Sequence, residues 1–154
     1  EQIKAMEEVK ESFPNAGLII VGAGSLENEV RSAALASGVK DSILITGNLP
    51  HEETQHLIDR CDILLRTTLF DGDAISIREA LYLQKNVIAT NNGMRPEGVD
   101  LLDSLTSANL AAAIRSIINR PARSKIEHTA DISNISKVID LYKEIIALRR
   151  RPQH

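Results

Sequence analysis

Aromatic residues make up only 3% of this 154-residue sequence, and tryptophan is absent. Stacking on sugar rings or unpaired bases is therefore not expected as a main binding device. The single cysteine, Cys61, excludes an internal disulfide. It closes an apolar helical pattern and reads as a buried core thiol. A strong charge of one sign is also lacking: the net charge of −3 leaves no electrostatic footprint for nucleic acid. No apolar run reaches the roughly 18 residues of a membrane-spanning helix, and no signal peptide is visible. What is present is a 43% hydrophobic fraction, mostly Ile, Leu, Val and Ala, enough for one domain with a substantial core. Residue 1 is not Met and falls inside a helical pattern, so the sequence reads as a soluble, cytoplasmic fragment whose chain continues upstream.

Short apolar runs alternate with helical periods. Ile3, Met6, Val9 and Phe13 recur at helical spacing until Pro14, Asn15 and Gly17 break the pattern. Leu18-Ile19-Ile20-Val21 reads as a buried strand. Gly22-Ala23-Gly24-Ser25 then turns into a helix with Leu26, Val30, Ala33, Ala34 and Ser37 on one face, which Gly38 closes as a left-handed C-cap would. Ile43-Leu44-Ile45 is the next strand, ended by Gly47-Asn48. A helix over 52–61 has Pro50 near its start, where a missing N–H costs least. Ile63-Leu64-Leu65 and Val87-Ile88-Ala89 are strands flanking a helix over 77–84, with a short strand at Leu101-Leu102. Leu110, Ile114, Ile117 and Ile118 mark the clearest helix. A polar connection over 121–133 leads to the last, marked by Ile135, Val138, Ile139, Tyr142, Ile145 and Ile146. Arg149-Arg150-Arg151 suits the C-terminal dipole of that helix, a membrane-surface role being the minor alternative.

Strands bounded on both sides by helices must be parallel and covered on both faces, which predicts an α/β fold with a doubly wound, Rossmann-like parallel sheet. Ligands in such sheets sit outside the C-terminal strand ends, which directs attention to residues 22–25, 47–50, 66–76 and 91–98. Gly22-Ala23-Gly24 follows a strand and precedes a helix, as a phosphate-binding loop does. The third glycine of a dinucleotide fingerprint is replaced by Glu27, which argues against a standard NAD site, and a tight turn without a ligand is an equal reading. The segment Asp71-Gly72-Asp73-Ala74-Ile75-Ser76-Ile77-Arg78-Glu79 is the more informative. It sets three carboxylates and an arginine beside a strand's C-terminal end, where solvated surface charge does not ordinarily collect. Ser76 and Glu79 stand three apart, so Glu79 reads either as the far half of a capping box or as a ligand group.

These residues resemble the C-terminal domain of family 4 glycosyltransferases, which have two Rossmann-like domains (the GT-B type). The matching phrases are Gly22-Ala23-Gly24 with Leu26 and Val30, Gly38-Val39-Lys40-Asp41, and Ile45-Thr46-Gly47. Cys61-Asp62-Ile63-Leu64-Leu65, Asp71-Gly72 with Glu79-Ala80-Leu81, Asn86-Val87-Ile88-Ala89-Thr90, and Gly93 with Glu97 continue the series without gaps over about half the chain. The resemblance implies that residues 1–154 form the nucleotide-sugar-binding domain, without its first strand and without the N-terminal acceptor domain. The intact protein would transfer a hexose from a nucleotide-diphospho-sugar to a hydroxyl acceptor, with retention, in polysaccharide biosynthesis. No cofactor and no metal are implied, and peripheral membrane association is compatible with the family.

By position, Glu79 would hold the ribose hydroxyls and Asp71 would lie near the donor hexose as the catalytic group. Gly72, Asp73, Ala74, Ile75 and Ser76 would present the diphosphate with backbone N–H groups at a helix N-terminus, with Gly22 and Gly24 also at the donor. Arg95 is a further cation for the donor or else a solvated loop residue. The departures from the family pattern are Asp71 for a longer Glu, Asp73 for an apolar residue, Ala74 for Gly, Arg66-Thr67-Thr68 for an apolar-Pro-Ser stretch, and Arg78 for an apolar residue. Arg78 is either exposed or paired with Asp71 or Asp73. His51 and His56 lie on a polar helix and receive no role. The basic pair that neutralises the diphosphate in this family lies near a first strand expected before Glu1. A non-catalytic nucleotide-sugar module, a nucleotide-sugar epimerase and, more remotely, a receiver domain are the rival readings.

Overall fold

Short apolar runs and amphipathic helical stretches take turns in the computed structural model of the chain, which describes residues 1–121, Ser136 and residues 139–143. The elements are α1 (Gln2–Ser12), β1 (Leu18–Val21), α2 (Glu27–Ala36), a 3-10 turn (Lys40–Ser42), β2 (Ile43–Gly47) and α3 (His51–Arg60). β3 (Ile63–Arg66), α4 (Ile75–Tyr82), β4 (Asn86–Thr90), β5 (Asp100–Leu102) and α5 (Ser107–Ile118) follow. They belong to a compact unit spanning Glu1–Ser124; Lys125–His154 forms a second. Of the last expected helix, Ser136 and residues 139–143 are described and helical, while the remainder, most of the 121–133 connection and Arg149 to Arg151 lie outside the described residues.

Every strand pairing is parallel. β1 pairs with β2 from Leu18↔Ile43 to Val21↔Gly47, with a register shift between Ile20 and Val21. β3 pairs with β4 from Ile63↔Asn86 to Arg66↔Ala89, and β4 with β5 from Ile88↔Asp100 to Thr90↔Leu102. The ladders make two sheets, β1-β2 and β3-β4-β5, and no ladder joins β1 to β3 among the described residues. Apolar packing bridges what hydrogen bonding does not. Ile20 of β1 and Ile63 and Leu65 of β3 pack against the same buried cluster, built on Ala5, Met6 and Val9 of α1 and Leu110, Ala111, Ile114 and Ile117 of α5.

β4 shows why its sequence is continuously apolar rather than alternating. Ile88 enters the α1/α5 cluster, whereas Val87 and Ala89 enter a second cluster with Ile58 of α3 and Ile77 and Ala80 of α4. Helices therefore cover both faces of β4, as a doubly wound arrangement requires. The β1-β2 pair differs: Ile19 is 47% exposed and its register partner Leu44 55% exposed, so one face of that pair is open. No described helix is long and apolar enough to cross a membrane.

Several local expectations change. Gly38 does not adopt a left-handed conformation; α2 ends at an extended Ser37 instead. Of the face expected on α2 only Ala34 is buried, and Leu26 is exposed. Cys61 is partly rather than fully buried; its thiol donates to the Ile58 carbonyl at 3.1 Å, and burial pushes it up from its ordinary range. α4 begins at Ile75 and ends with a left-handed Gln84, where Gln84 N donates to Leu81 O and Lys85 N to Ala80 O, the two bonds of a Schellman motif.

Candidate functional site

Within each sheet parallel pairing gives the strands one direction, so the loops after β1 and β2 leave the same edge of one sheet and those after β3 and β4 the same edge of the other. Their polar side chains form separate groups. The densest surrounds Asp71. Its Oδ1 accepts from Arg95 Nη2 at 2.6 Å and its Oδ2 accepts from Arg66 Nε at 2.7 Å and Thr68 Oγ1 at 2.8 Å. Asn92 Nδ2 donates to the Asp71 carbonyl at 2.6 Å. Burial alone raises the carboxyl, but the bonds from Arg95, Arg66 and Thr68 outweigh it and hold Asp71 well below the usual carboxylate range.

Arg95 is the inner member of this group, its side chain only 1% exposed. Nε donates to Thr90 O and Nη1 to Gly72 O, so one guanidinium ties the end of β4 to the loop after β3. Of the two readings of Arg95, the solvated loop residue is corrected to a buried tie, because each of its three nitrogens has a protein acceptor. Asp71 likewise has both oxygens engaged by the protein where a carboxylate facing the hexose was expected.

Arg78 pairs with Asp73 rather than Asp71, with Nε at 2.7 Å from Oδ2, both side chains more than a third exposed. Ala74 is the N-cap of α4 and offers no side-chain bond, so the capping box expected from Ser76 and Glu79 does not form: Ser76 lies inside the first turn. Glu79 instead reaches α3. Its Oε1 accepts from Gln55 Nε2 at 3.2 Å and lies 3.3 Å from His51 Nε2, while Oε2 has no hydrogen-bond partner among the described residues. Gly72 and Ile75 are exposed beside this helix start, and Ser76 is partly buried.

At the other sheet, Gly22 takes φ +119, which explains the glycine. Gly22 N donates to Gly47 O at 2.8 Å and Ala23 N to Asn48 Oδ1 at 2.9 Å. Two backbone donors of the expected phosphate loop are therefore used inside the protein, as a tight turn would use them. A shallow open hollow of about 250 Å³ lies here, lined by Ile20, Val21, Gly22, Leu26, Val30 and Ile45 among others. It contains none of residues 71–79, and its apolar lining makes it less suited to a diphosphate than the charged loop after β3. Among the described residues no three His, Cys, Asp or Glu side chains converge.

Sequence reading missed His51, Gln55, Asn92 and Thr68. His51 and Gln55 stand four apart and so share a helix face, which was the available signal. Asn92 and Thr68 carried none, since their partners are fixed by how two loops meet.

A model of the family described as glycosyl transferases group 1 matches residues 1–137. An alpha-1,3/1,6-mannosyltransferase of Dictyostelium discoideum is 31% identical over 102 residues, covering 63% of this chain and 24% of that protein. The chain thus spans about a quarter of the length of that curated relative.

Proposed function

Since the chain belongs to the group 1 glycosyl transferases, we propose that it is the donor-binding domain of a family 4 enzyme of the two-Rossmann-domain type. The intact protein transfers a hexose from a nucleotide-diphospho-sugar to a hydroxyl acceptor with retention, working at the cytoplasmic side with its N-terminal domain holding the acceptor. A mannosyl donor is the first to assay, given the name of the relative. The observation that carries this reading is Glu79, oriented through one oxygen by His51 and Gln55 with its second oxygen unengaged among the described residues. A carboxylate held in that way accepts from a vicinal diol such as a ribose. Gly72, Asp73, Ala74, Ile75 and Ser76 supply the diphosphate end of the site, where the uncapped start of α4 presents N–H groups and the positive end of its dipole. The chemistry asked of this domain is positioning and stabilisation of the departing diphosphate.

The split between the sheets supports one further element of the proposal. A parallel strand of the intact protein between β1 and β3 would use the free edge of each, over the cluster both already share.

The test is donor binding and transfer by the full-length protein, with GDP- and UDP-linked hexoses and the product anomer read by NMR. Glu79→Gln is expected to weaken donor binding by about 1.5–3 kcal/mol, the value of charge-assisted bonds. Its melting temperature should barely move, since no capping box is lost. A large melting shift with unchanged donor affinity would assign Glu79 to the scaffold alone. A second reading, a nucleotide-sugar module without turnover, is favoured by the engagement of both Asp71 oxygens; donor binding by the full-length protein without transfer to any acceptor would select it.

A further inference from the structure

The Asp71 group holds two guanidinium cations, Arg66 and Arg95, against one carboxylate. The two arginines are not equivalent. Arg95 is buried and its nitrogens are all engaged. Arg66 is 38% exposed, and only its Nε has a partner among the described residues. Arg66 is the last residue of β3 and stands at the C-terminal strand end. Strand alternation fixes its side: Ile63 and Leu65 pack toward the α1/α5 cluster and Leu64 toward the α3/α4 cluster, so Arg66 falls on the face that carries α4 and Glu79. A guanidinium gripped through Nε retains its Nη1–Nη2 edge, the edge that meets phosphoryl oxygens in a bidentate way.

We propose that Arg66 is a diphosphate-binding residue of the donor site, and that Asp71, anchored from behind by Arg95, is the positioning residue that aims it. The proposal rests on the donor-binding reading above and deepens it: the excess positive charge of the Asp71 group is matched to the donor's pyrophosphate group. Asp71 acts through Arg66 and not on the sugar. Arg95 sets Asp71 by tying it to Thr90 and Gly72 across two loops.

The experiment measures binding of GDP, UDP, guanosine, uridine and inorganic pyrophosphate to the full-length protein by calorimetry and competition at fixed salt. Arg66→Gln is expected to weaken the preferred nucleoside diphosphate, and pyrophosphate, by about tenfold or more. The matching nucleoside should change by less than about twofold, because it lacks the charge that Arg66 meets. Arg66→Lys should recover part of the loss, keeping charge without the fork. Asp71→Asn should also lower diphosphate affinity while sparing the nucleoside, a split that a merely structural role would not produce. Should Arg66→Gln not fold, Arg66→Lys against wild type reads the same split. Wild-type affinity for the diphosphate in Arg66→Gln, or equal loss for nucleoside and diphosphate, overturns the assignment of Arg66 while leaving the donor reading intact. Failure of the wild-type protein to bind GDP, UDP and pyrophosphate overturns both.

Discussion

Asp71 shows how a single carboxylate changes meaning with its neighbours. Read along the chain it stands in a donor loop as a shorter replacement for a glutamate; in three dimensions it meets arginines five and 24 positions away. Its depressed ionisation makes stability depend on pH in a defined direction. The folded-state value lies below the unfolded value of about 3.9, so the stabilisation is fully present above that pH and is lost as pH falls through the folded value. Asp71→Asn should therefore cost about 1.5–3 kcal/mol at neutral pH, since Arg95 would be left buried without its counter-charge. Urea titrations should show that difference flat from about pH 5 to 8 and shrinking below about pH 4. A difference that grows on acidification would refute the ion-pair account. Cys61, whose thiol is raised by burial and bonded to Ile58 O, has the character of a packing residue rather than a nucleophile.

At the level of elements, strands were more legible than helix ends. The apolar cores of all five strands lie where short apolar runs occur, and each named strand grew by no more than two residues. Helix boundaries were less legible because capping here seldom uses the expected side chains. α4 starts at Ile75 behind Ala74, an N-cap without a side-chain bond, and its C-terminal turn places Gln84 where glycine is usual. α5 alone among the described helices carries a side-chain N-cap, Thr106, whose oxygen accepts from Asn109 N at 3.2 Å. Thr106→Ala should destabilise the protein by about 1 kcal/mol, seen as a lowered urea midpoint with an unchanged slope. An unchanged midpoint would mean that packing of α5 on α1 holds the helix without its cap. Donor affinity should not move, because the hydrogen bond that Thr106 accepts is from Asn109 N in its own helix.

For the molecule as a whole, the open sheet edges carry the clearest expectation. If a strand of the intact protein lies between β1 and β3, amides of β1 and β3 that take no part in the present ladders gain partners there. Hydrogen exchange should then be slower at those amides in the full-length protein than in residues 1–154 alone. Equal exchange rates in both would leave the two sheets unjoined. On the proposed reading, in which another domain holds the acceptor, the same 154 residues tested alone with mannosyl donors and mixed acceptors should transfer nothing above blank, and measurable transfer would refute that division.

Sequence by itself determined the fold class, because hydrophobic periodicity is local and each run reports its own burial. Val87-Ile88-Ala89 could be apolar throughout only if both faces were covered, and they are. It also singled out the loop proposed here as the donor site, since charge after Leu64-Leu65 is out of place on a solvated face. Tertiary structure alone decided who pairs with whom inside that loop. The side chain at Arg95 has the same covalent reach whether it meets solvent or Asp71; the choice depends on how the loops after β3 and β4 approach. Glu79 likewise met His51 and Gln55 because α3 packs beside α4, a distance set by Ile58 and Ile77 in the core and not by any spacing along the chain.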